Sequence, residues 1–110
     1  MIDQERFAEN VRQAGKQVCK AEIYLAECDA EEKKLIAQQM VMGEAKGMKS
    51  VNAQTRYADE SVEVYQARLA KGVAKGKLAA AKAELTAAEM SFNAWRTTMA
   101  TTRMERNIYK

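Results

Sequence analysis

The stretch LAAAKAELTAAEMSFNAWRTTM, residues 78–99, has an apolar side chain at every third or fourth position without a break. These positions are Leu78, Ala81, Leu85, Ala88, Phe92, Trp95 and Met99. Steps that alternate between three and four residues place side chains along one face of an α-helix, which is the spacing that a coiled-coil seam requires. The stretch therefore predicts a long amphipathic helix that packs along this face against another helix.

The first forty residues have the same spacing. They predict a helix from about residue 3 to residue 42, in which Asp3 is placed to cap the first turn. The stripe of this helix consists of Phe7, Val11, Ala14, Val18, Ala21, Leu25 and Cys28. The next positions in the spacing include Glu32 and Gln39, so we expect the seam to weaken or shift there.

The composition favours helices along the whole chain. The 110 residues contain no proline and five glycines, whereas folds rich in strands need turn residues between the strands. We predict an all-α fold with a single domain, residues 1–110, that forms a long antiparallel helical hairpin or coiled coil. In this prediction a connector at about 43–59 joins the first helix to a second helix at about 60–106.

Two helices alone cannot fully cover the large apolar side chains of this chain, and burial of more apolar surface would stabilise an assembly. We therefore expect the hairpin to self-associate as a homo-oligomer. The residues expected at the contact between chains are Phe7, Leu25, Leu85, Phe92, Trp95 and Met99.

A second apolar stripe precedes the seam of residues 78–99 and consists of Val62, Tyr65, Leu69 and Val73. On a regular helix the two stripes differ in direction by roughly 100° or more. The change of direction falls inside AKGVAKGK, residues 70–77. A stutter, a kink, or a separate partner for the first stripe would each account for it.

Four of the five glycines form two pairs with four-residue spacing, Gly43 with Gly47 and Gly72 with Gly76. If the pairs lie opposite each other in the hairpin, they let the two helices approach closely. Alternatively, Gly43 and Gly47 simply end the first helix.

The residues needed for common catalytic and metal sites are missing from the sequence. There is no histidine, and Cys19 and Cys28 are nine residues apart, which is about half a rotation on a helix. No P-loop pattern occurs, and the glycines of residues 70–77 do not follow a strand. We therefore predict a protein that is not an enzyme, with no cofactor, no metal, no catalytic residue and no small-molecule substrate.

The N-terminus MIDQERFAEN is polar, and no apolar run approaches the length of a membrane span. The two cysteines do not suggest a disulfide framework. These features predict a protein without a membrane partner that is located in the cytoplasm, or in the host cytoplasm if a phage encodes it.

Basic residues suggest one possible partner, single-stranded DNA. The net charge is +3, and the segment from Val64 to Ala83 contains five Lys and Arg residues and no acidic residue. A regular helix would gather Arg68, Lys71, Lys75 and Lys82 within about 60° as a basic ridge, and arginines follow in the C-terminal part. The predicted nucleic-acid contacts are Arg68, Lys71, Lys75, Lys82, Arg96, Arg103 and Arg106. The alternative is a solvated lysine face that keeps an alanine-rich helix soluble.

The layout of the chain also resembles a known class. The segments DESVEVYQARLAKG (59–72) and WRTTMATTRMER (95–106) lie in a long helix that follows a polar helix and a glycine-containing middle. This arrangement resembles the small helical accessory proteins of tailed bacteriophages, and among them the UvsY-type recombination mediators. The resemblance implies a helical hairpin that assembles into rings, binds single-stranded DNA and loads a recombinase, and it assigns no residue.

Three functions follow as hypotheses. The first is a non-enzymatic, phage-like DNA-transaction accessory protein that binds single-stranded DNA, a recombination protein, or both. The second is a protein-binding inhibitor or adaptor that occupies a host defence or recombination enzyme, and the methionine-rich, apolar-striped helices suit it equally well. The third is a structural coiled-coil protein.

Overall fold

A computed structural model describes residues 3–108 of the chain. Three helices make up this part: α1 (Asp3–Ala45), α2 (Val51–Asp59) and α3 (Val62–Ile108), with no strand among the described residues. The chain divides into a central unit, residues 21–78, and a terminal unit, residues 3–20 with 79–108. Within each unit α1 and α3 pair antiparallel, so the prediction of an all-α helical hairpin is confirmed.

The seam of α3 continues in one register on both sides of the glycine-containing segment. The seam positions in the central unit are Val64, Ala67, Lys71, Ala74 and Leu78, each of them buried or half-buried. Those in the terminal unit are Ala81, Leu85, Ala88, Phe92, Trp95 and Met99. The steps remain three and four throughout, so the register needs no stutter, and α3 is one helix through Gly72 and Gly76.

The first predicted stripe of α3 does not face α1. Its four side chains are largely exposed, at 64% for Val62, 64% for Tyr65, 57% for Leu69 and 51% for Val73. Of the alternatives for the change of direction, the structure therefore supports a stripe that is available to a separate partner. Val64 and Ala74, both fully buried, take the inward positions instead.

The seam of α1 shifts by one residue after its polar positions, as expected. Glu32 and Gln39 are half-buried, but Met42, the next position in the three-and-four spacing, is 46% exposed, and Gly43 is buried in its place. Glu32 is accommodated because α3 places Lys71 opposite, with Nζ 3.7 Å from Oε1 of Glu32.

The connector is more ordered than predicted. α1 ends at Ala45, and Gly47 follows with a φ of 99°. The amides of Met48 and Gly47 donate to the carbonyls of Gly43 and Glu44, both at 3.0 Å, which is the Schellman pattern that closes a helix.

The predicted connector contains the nine-residue helix α2. The Ser50 hydroxyl accepts a hydrogen bond from the amide of Ala53 at 3.1 Å, as expected of an N-cap, and thereby starts the helix. α3 then begins at Val62, two residues after the predicted start.

The two glycine pairs do not face each other, so the predicted alternative of close helix approach is wrong. Gly43 is buried, and a Cβ there would lie 3.0 Å from Cδ1 of Tyr57 on α2. Gly72 and Gly76 have open space where a side chain would begin. The first pair instead serves the connector, because Gly43 makes room for Tyr57 and Gly47 ends α1.

Candidate interaction surfaces

Within residues 3–108 no group of three His, Cys, Asp or Glu side chains is placed to hold a metal ion. Cys19 and Cys28 are both free thiols. The side chains that the sequence singles out are instead basic, aromatic and apolar.

Two of the four bases on the predicted ridge are held by carboxylates. Arg68 donates from Nη2 to Oδ1 of Asp59 at 2.6 Å. Lys71 places Nζ 2.7 Å from Oδ1 of Asp29, and the Lys71 side chain is only 23% exposed. Lys71 therefore lies in the seam rather than on a solvent-exposed ridge.

The contacts of Lys71 form a small charged cluster within the seam of the central unit. A hydrogen bond from Lys71, and to a smaller extent one from Lys33, holds the pKa of Asp29 at about 2, below its ordinary 3.8. The hydrogen bond to Asp29 in turn raises the pKa of Lys71. Both groups are thus charged at neutral pH. The charge of Lys71 is largely neutralised within the chain and contributes little to attraction of an anionic partner.

The other two bases of the predicted ridge, Lys75 and Lys82, are exposed and belong to different units. In the part of the chain that the structure describes, neither has a carboxylate within ion-pair distance. The spacing of the bases alone did not reveal this division. Extending the seam backwards from Leu78 in heptads would have shown that Lys71 faces inward.

In the terminal unit three aromatic rings pack together. Phe7 of α1 lies 6.3 Å from Phe92 and 5.7 Å from Trp95 of α3, measured between ring centroids. Phe92 and Trp95 are 6.1 Å apart and meet edge to face. All three remain half-buried. These residues, predicted for self-association, therefore already contact each other within one chain.

The remaining predicted self-association residues also lie in the intrachain seam. Leu25, Leu85 and Met99 are half-buried. The prediction was based on large apolar side chains, and the packing of the hairpin itself covers part of each.

A groove of about 480 Å³ lies beside the aromatic cluster. It is lined by Gln4, Phe92, Trp95, Arg96, Met99, Ala100 and Arg103. The Arg96 guanidinium lies 5.5 Å from the centroid of the Phe92 ring, and Arg103 is exposed. Two predicted nucleic-acid contacts are thus brought to the same groove as Trp95. Arg106 is exposed in the last turn of α3.

The threonine hydroxyls near this groove are already used by the helix. Thr98, Thr101 and Thr102 each donate to the carbonyl four residues earlier, at 3.0 Å. Their hydroxyl hydrogens are therefore not available to an anionic ligand while the helix keeps these bonds.

In the central unit an outer stripe runs along the solvent-exposed face of α3. We define it by Val62, Tyr65, Leu69, Gly72, Val73 and Gly76, which span about 100° on a regular helix. No charged residue lies within that arc. Arg68 and Lys75 lie along one border of it and Lys77 along the other.

No helix in the described residues has the length and apolar content needed to cross a membrane. Comparison of the chain with protein-family models, curated proteins and solved structures finds no match.

Proposed function

We propose that this chain is a non-enzymatic interaction protein that binds a helix of a partner protein through the outer stripe of α3. The observation that carries the proposal is the alignment of four large apolar side chains that are all more than half exposed. Burial of such side chains contributes roughly 1 kcal/mol or more each. A helical partner suits the three-and-four spacing, as in complexes in which a helix lies in an apolar groove.

The positions of the ridge bases favour this function over DNA binding along α3. The ion pair of Arg68 with Asp59 and the inward position of Lys71 reduce the positive charge that this helix offers to a phosphate backbone. Affinity for nucleic acid depends on the number of phosphates that are neutralised. The outer stripe, in contrast, contains no charge and fits an adaptor, an inhibitor or a structural coiled coil.

Affinity capture from a lysate of the source cell tests the proposal. We expect the wild-type chain to retain a protein in a stoichiometric amount after nuclease treatment, and Leu69→Glu to lose it. Gln38→Glu is the matched control, because it adds the same charge at an exposed position of α1. Equal retention by the wild type and Leu69→Glu would contradict the proposal. A wild-type chain that retains nothing and also remains a monomer would contradict it too.

The groove of the terminal unit supports a second candidate function, binding of single-stranded DNA. Arg96 and Arg103 line it together with Trp95, and proteins that bind single strands combine cationic grooves with aromatic rings on which bases stack. Lys82 and Arg106 add exposed positive charge in the same unit. A chain that uses this groove for DNA and the outer stripe for a recombination protein corresponds to the phage-like accessory suggested by the layout of the sequence.

Fluorescence measurements with a labelled oligonucleotide test this candidate. We expect anisotropy to report binding that weakens as salt rises, and Arg96→Gln combined with Arg103→Gln to weaken it about tenfold. Arg12→Gln is the control, because Arg12 lies in the same unit and is paired with Glu9. Trp95 is the only tryptophan, so quenching of its emission reports a base stacked in the groove. Binding that is undetectable at low salt, or insensitive to salt, would contradict this candidate.

A further inference from the structure

We infer that the partner of the outer stripe is a second copy of this chain, docked through the outward face of its α1. The inference rests on the proposed function, since it names the partner of the same surface. Charge complementarity and the sizes of the side chains on the two faces support it.

The outward face of α1 in the central unit is small, apolar and bordered by acids. Ile23, Ala26 and Ala30 are exposed and lie within about 60° on a regular helix. Ile23 is 55% exposed, so the hairpin leaves this large side chain mostly uncovered. Glu22, Glu27 and Glu31 lie along its borders, and the exposed Lys33 and Lys34 follow within about one turn of Ala30. We call Ile23, Ala26 and Ala30 with the three acids the acidic face.

The charges of the two segments have opposite signs. Residues 21–32 contain five acidic residues and no basic one, whereas residues 64–83 contain five basic residues and no acidic one. Ion pairs within the chain engage Asp29, Glu32, Lys71 and Arg68. In the described part of the chain no ion pair engages the acids of the acidic face, Glu22, Glu27 and Glu31, or the two lysines beside the outer stripe, Lys75 and Lys77. These unpaired charges would attract one copy to another.

The side-chain sizes are complementary in one antiparallel register. Pairing Ile23 with Gly72 of the second copy also pairs Ala26 with Leu69 and Ala30 with Tyr65. In each pair a large side chain meets a small one, and the open space at Gly72 receives Ile23. The same register brings Glu22 beside Lys75 at the border, the position of charge pairs in antiparallel coiled coils.

This contact joins two different faces, so each copy in a pair keeps one unused face of each kind. Association of this kind continues to further copies until the arrangement closes on itself. If instead the outer stripes of two copies paired with each other, association would stop at a dimer. That contact would also bring Lys75 close to Arg68 of the other copy, so like charges would repel.

Light scattering on the purified full-length chain, with charge-reversal variants, tests the inference. We expect the wild type to exceed the mass of one chain at low salt and to dissociate as salt rises, since screening shortens the reach of charges to about 3 Å at 1 M. Glu22→Lys alone and Lys75→Glu alone should each weaken association about tenfold. An equimolar mixture of the two variants should associate again. In the mixture the two reversed charges attract each other, and the unchanged Glu22 of one variant pairs with the unchanged Lys75 of the other.

The mixture separates contacts between chains from effects within one chain. Glu22 and Lys75 line the same shallow groove of the central unit, so each single change also alters the charge within its own hairpin. Mixing cannot repair that internal change, and only a contact between chains restores association. Circular dichroism of each variant checks that the helices persist.

Three outcomes would overturn the inference: a wild-type chain that remains a monomer at low salt, variants that associate as the wild type does, or a mixture that regains nothing. If the wild type is a monomer but captures a different protein through Leu69, the inference fails and the proposed function stands. If copies associate and the mixture regains association, both stand, and the partner is the chain itself.

Discussion

Lys71 of α3 donates a hydrogen bond from Nζ to Oδ1 of Asp29 on α1, at 2.7 Å, from a seam position that an apolar residue would ordinarily occupy. A polar residue at one seam position fixes the register of paired helices, because a slip leaves it without its partner. Glu32, whose side chain is 15% exposed, adds a second carboxylate on the same side of Lys71. The cluster therefore specifies which residues of α1 and α3 lie opposite each other in the central unit.

The charged cluster should make stability depend on pH in the acidic range. The pKa of Asp29 is about 2 in the folded chain, below its ordinary 3.8, so its ionised form stabilises the fold above pH 3.8. This contribution is lost as the pH falls from about 4 to about 2. The thermal midpoint of the wild type, followed by circular dichroism, should therefore fall across this window, and Asp29→Asn should flatten the decline.

Glu89→Gln is the control for this experiment, because Glu89 is exposed, lies outside the acidic face and the outer stripe, and has no ion-pair partner among the described residues. We expect the thermal midpoint of this control variant to fall as much as that of the wild type. If the thermal midpoint of Asp29→Asn falls as much as that of the wild type, the charged cluster does not contribute to the pH dependence of stability.

The register of α3 predicts that truncation of two apolar residues changes the free energy of unfolding by very different amounts. Val64 is fully buried, and Val64→Ala should lower the free energy of unfolding by about 2 kcal/mol, since buried methyl groups are lost and a cavity forms. Leu69 belongs to the outer stripe, and Leu69→Ala should change the stability of the monomer by less than about 0.5 kcal/mol. Urea titration under conditions that keep the chain monomeric measures both. A larger cost at Leu69 than at Val64 would place the stripe in the seam and contradict the structure.

These two residues also show how far the sequence could predict the fold. The spacing of residues 78–99 and of the first helix predicted the hairpin, because large side chains mark both seams there. Further back in α3 the seam consists of alanines, Val64 and a lysine, while the larger Tyr65 and Leu69 face solvent. Hydrophobicity alone therefore identified the wrong face. The heptad register would have identified the right one, but only by allowing a lysine at a seam position.

The candidate surfaces were predictable to different degrees. The sequence located the bases, but only the structure shows that Asp29 and Asp59 lie within reach of Lys71 and Arg68. The contact of Asp29 with Lys71 depends on the register between two helices that are far apart in the chain, and that of Asp59 with Arg68 depends on the geometry of the turn between α2 and α3. The groove beside Trp95 also depends on α1, which contributes Gln4, and spacing within α3 could not reveal it.

The contact between α1 and α2 predicts that Gly43→Ala is destabilising. Alanine favours a helix over glycine by about 1 kcal/mol, but the new Cβ would lie 3.0–3.3 Å from three atoms of Tyr57. We expect overpacking to exceed the helix gain and to lower the free energy of unfolding by about 1 kcal/mol. Gly15→Ala is the matched control, because Gly15 lies inside α1 with no atom within 4 Å of the new Cβ. It should raise stability, and a rise of equal size at Gly43 would mean that α2 does not pack as the structure shows.

The end of α1 provides a prediction that depends on chirality. Gly47 has a φ of 99°, a conformation that costs an L-residue about 1–2 kcal/mol, so Gly47→Ala should lower the free energy of unfolding by about that amount. D-alanine adopts positive φ readily and restricts the unfolded chain, so a synthetic chain with D-alanine at position 47 should be at least as stable as the wild type. Urea titration compares the three chains. If L- and D-alanine have the same effect, the cost comes from the added methyl group rather than from the backbone, and the helix does not end through the Schellman bonds at Gly43 and Glu44.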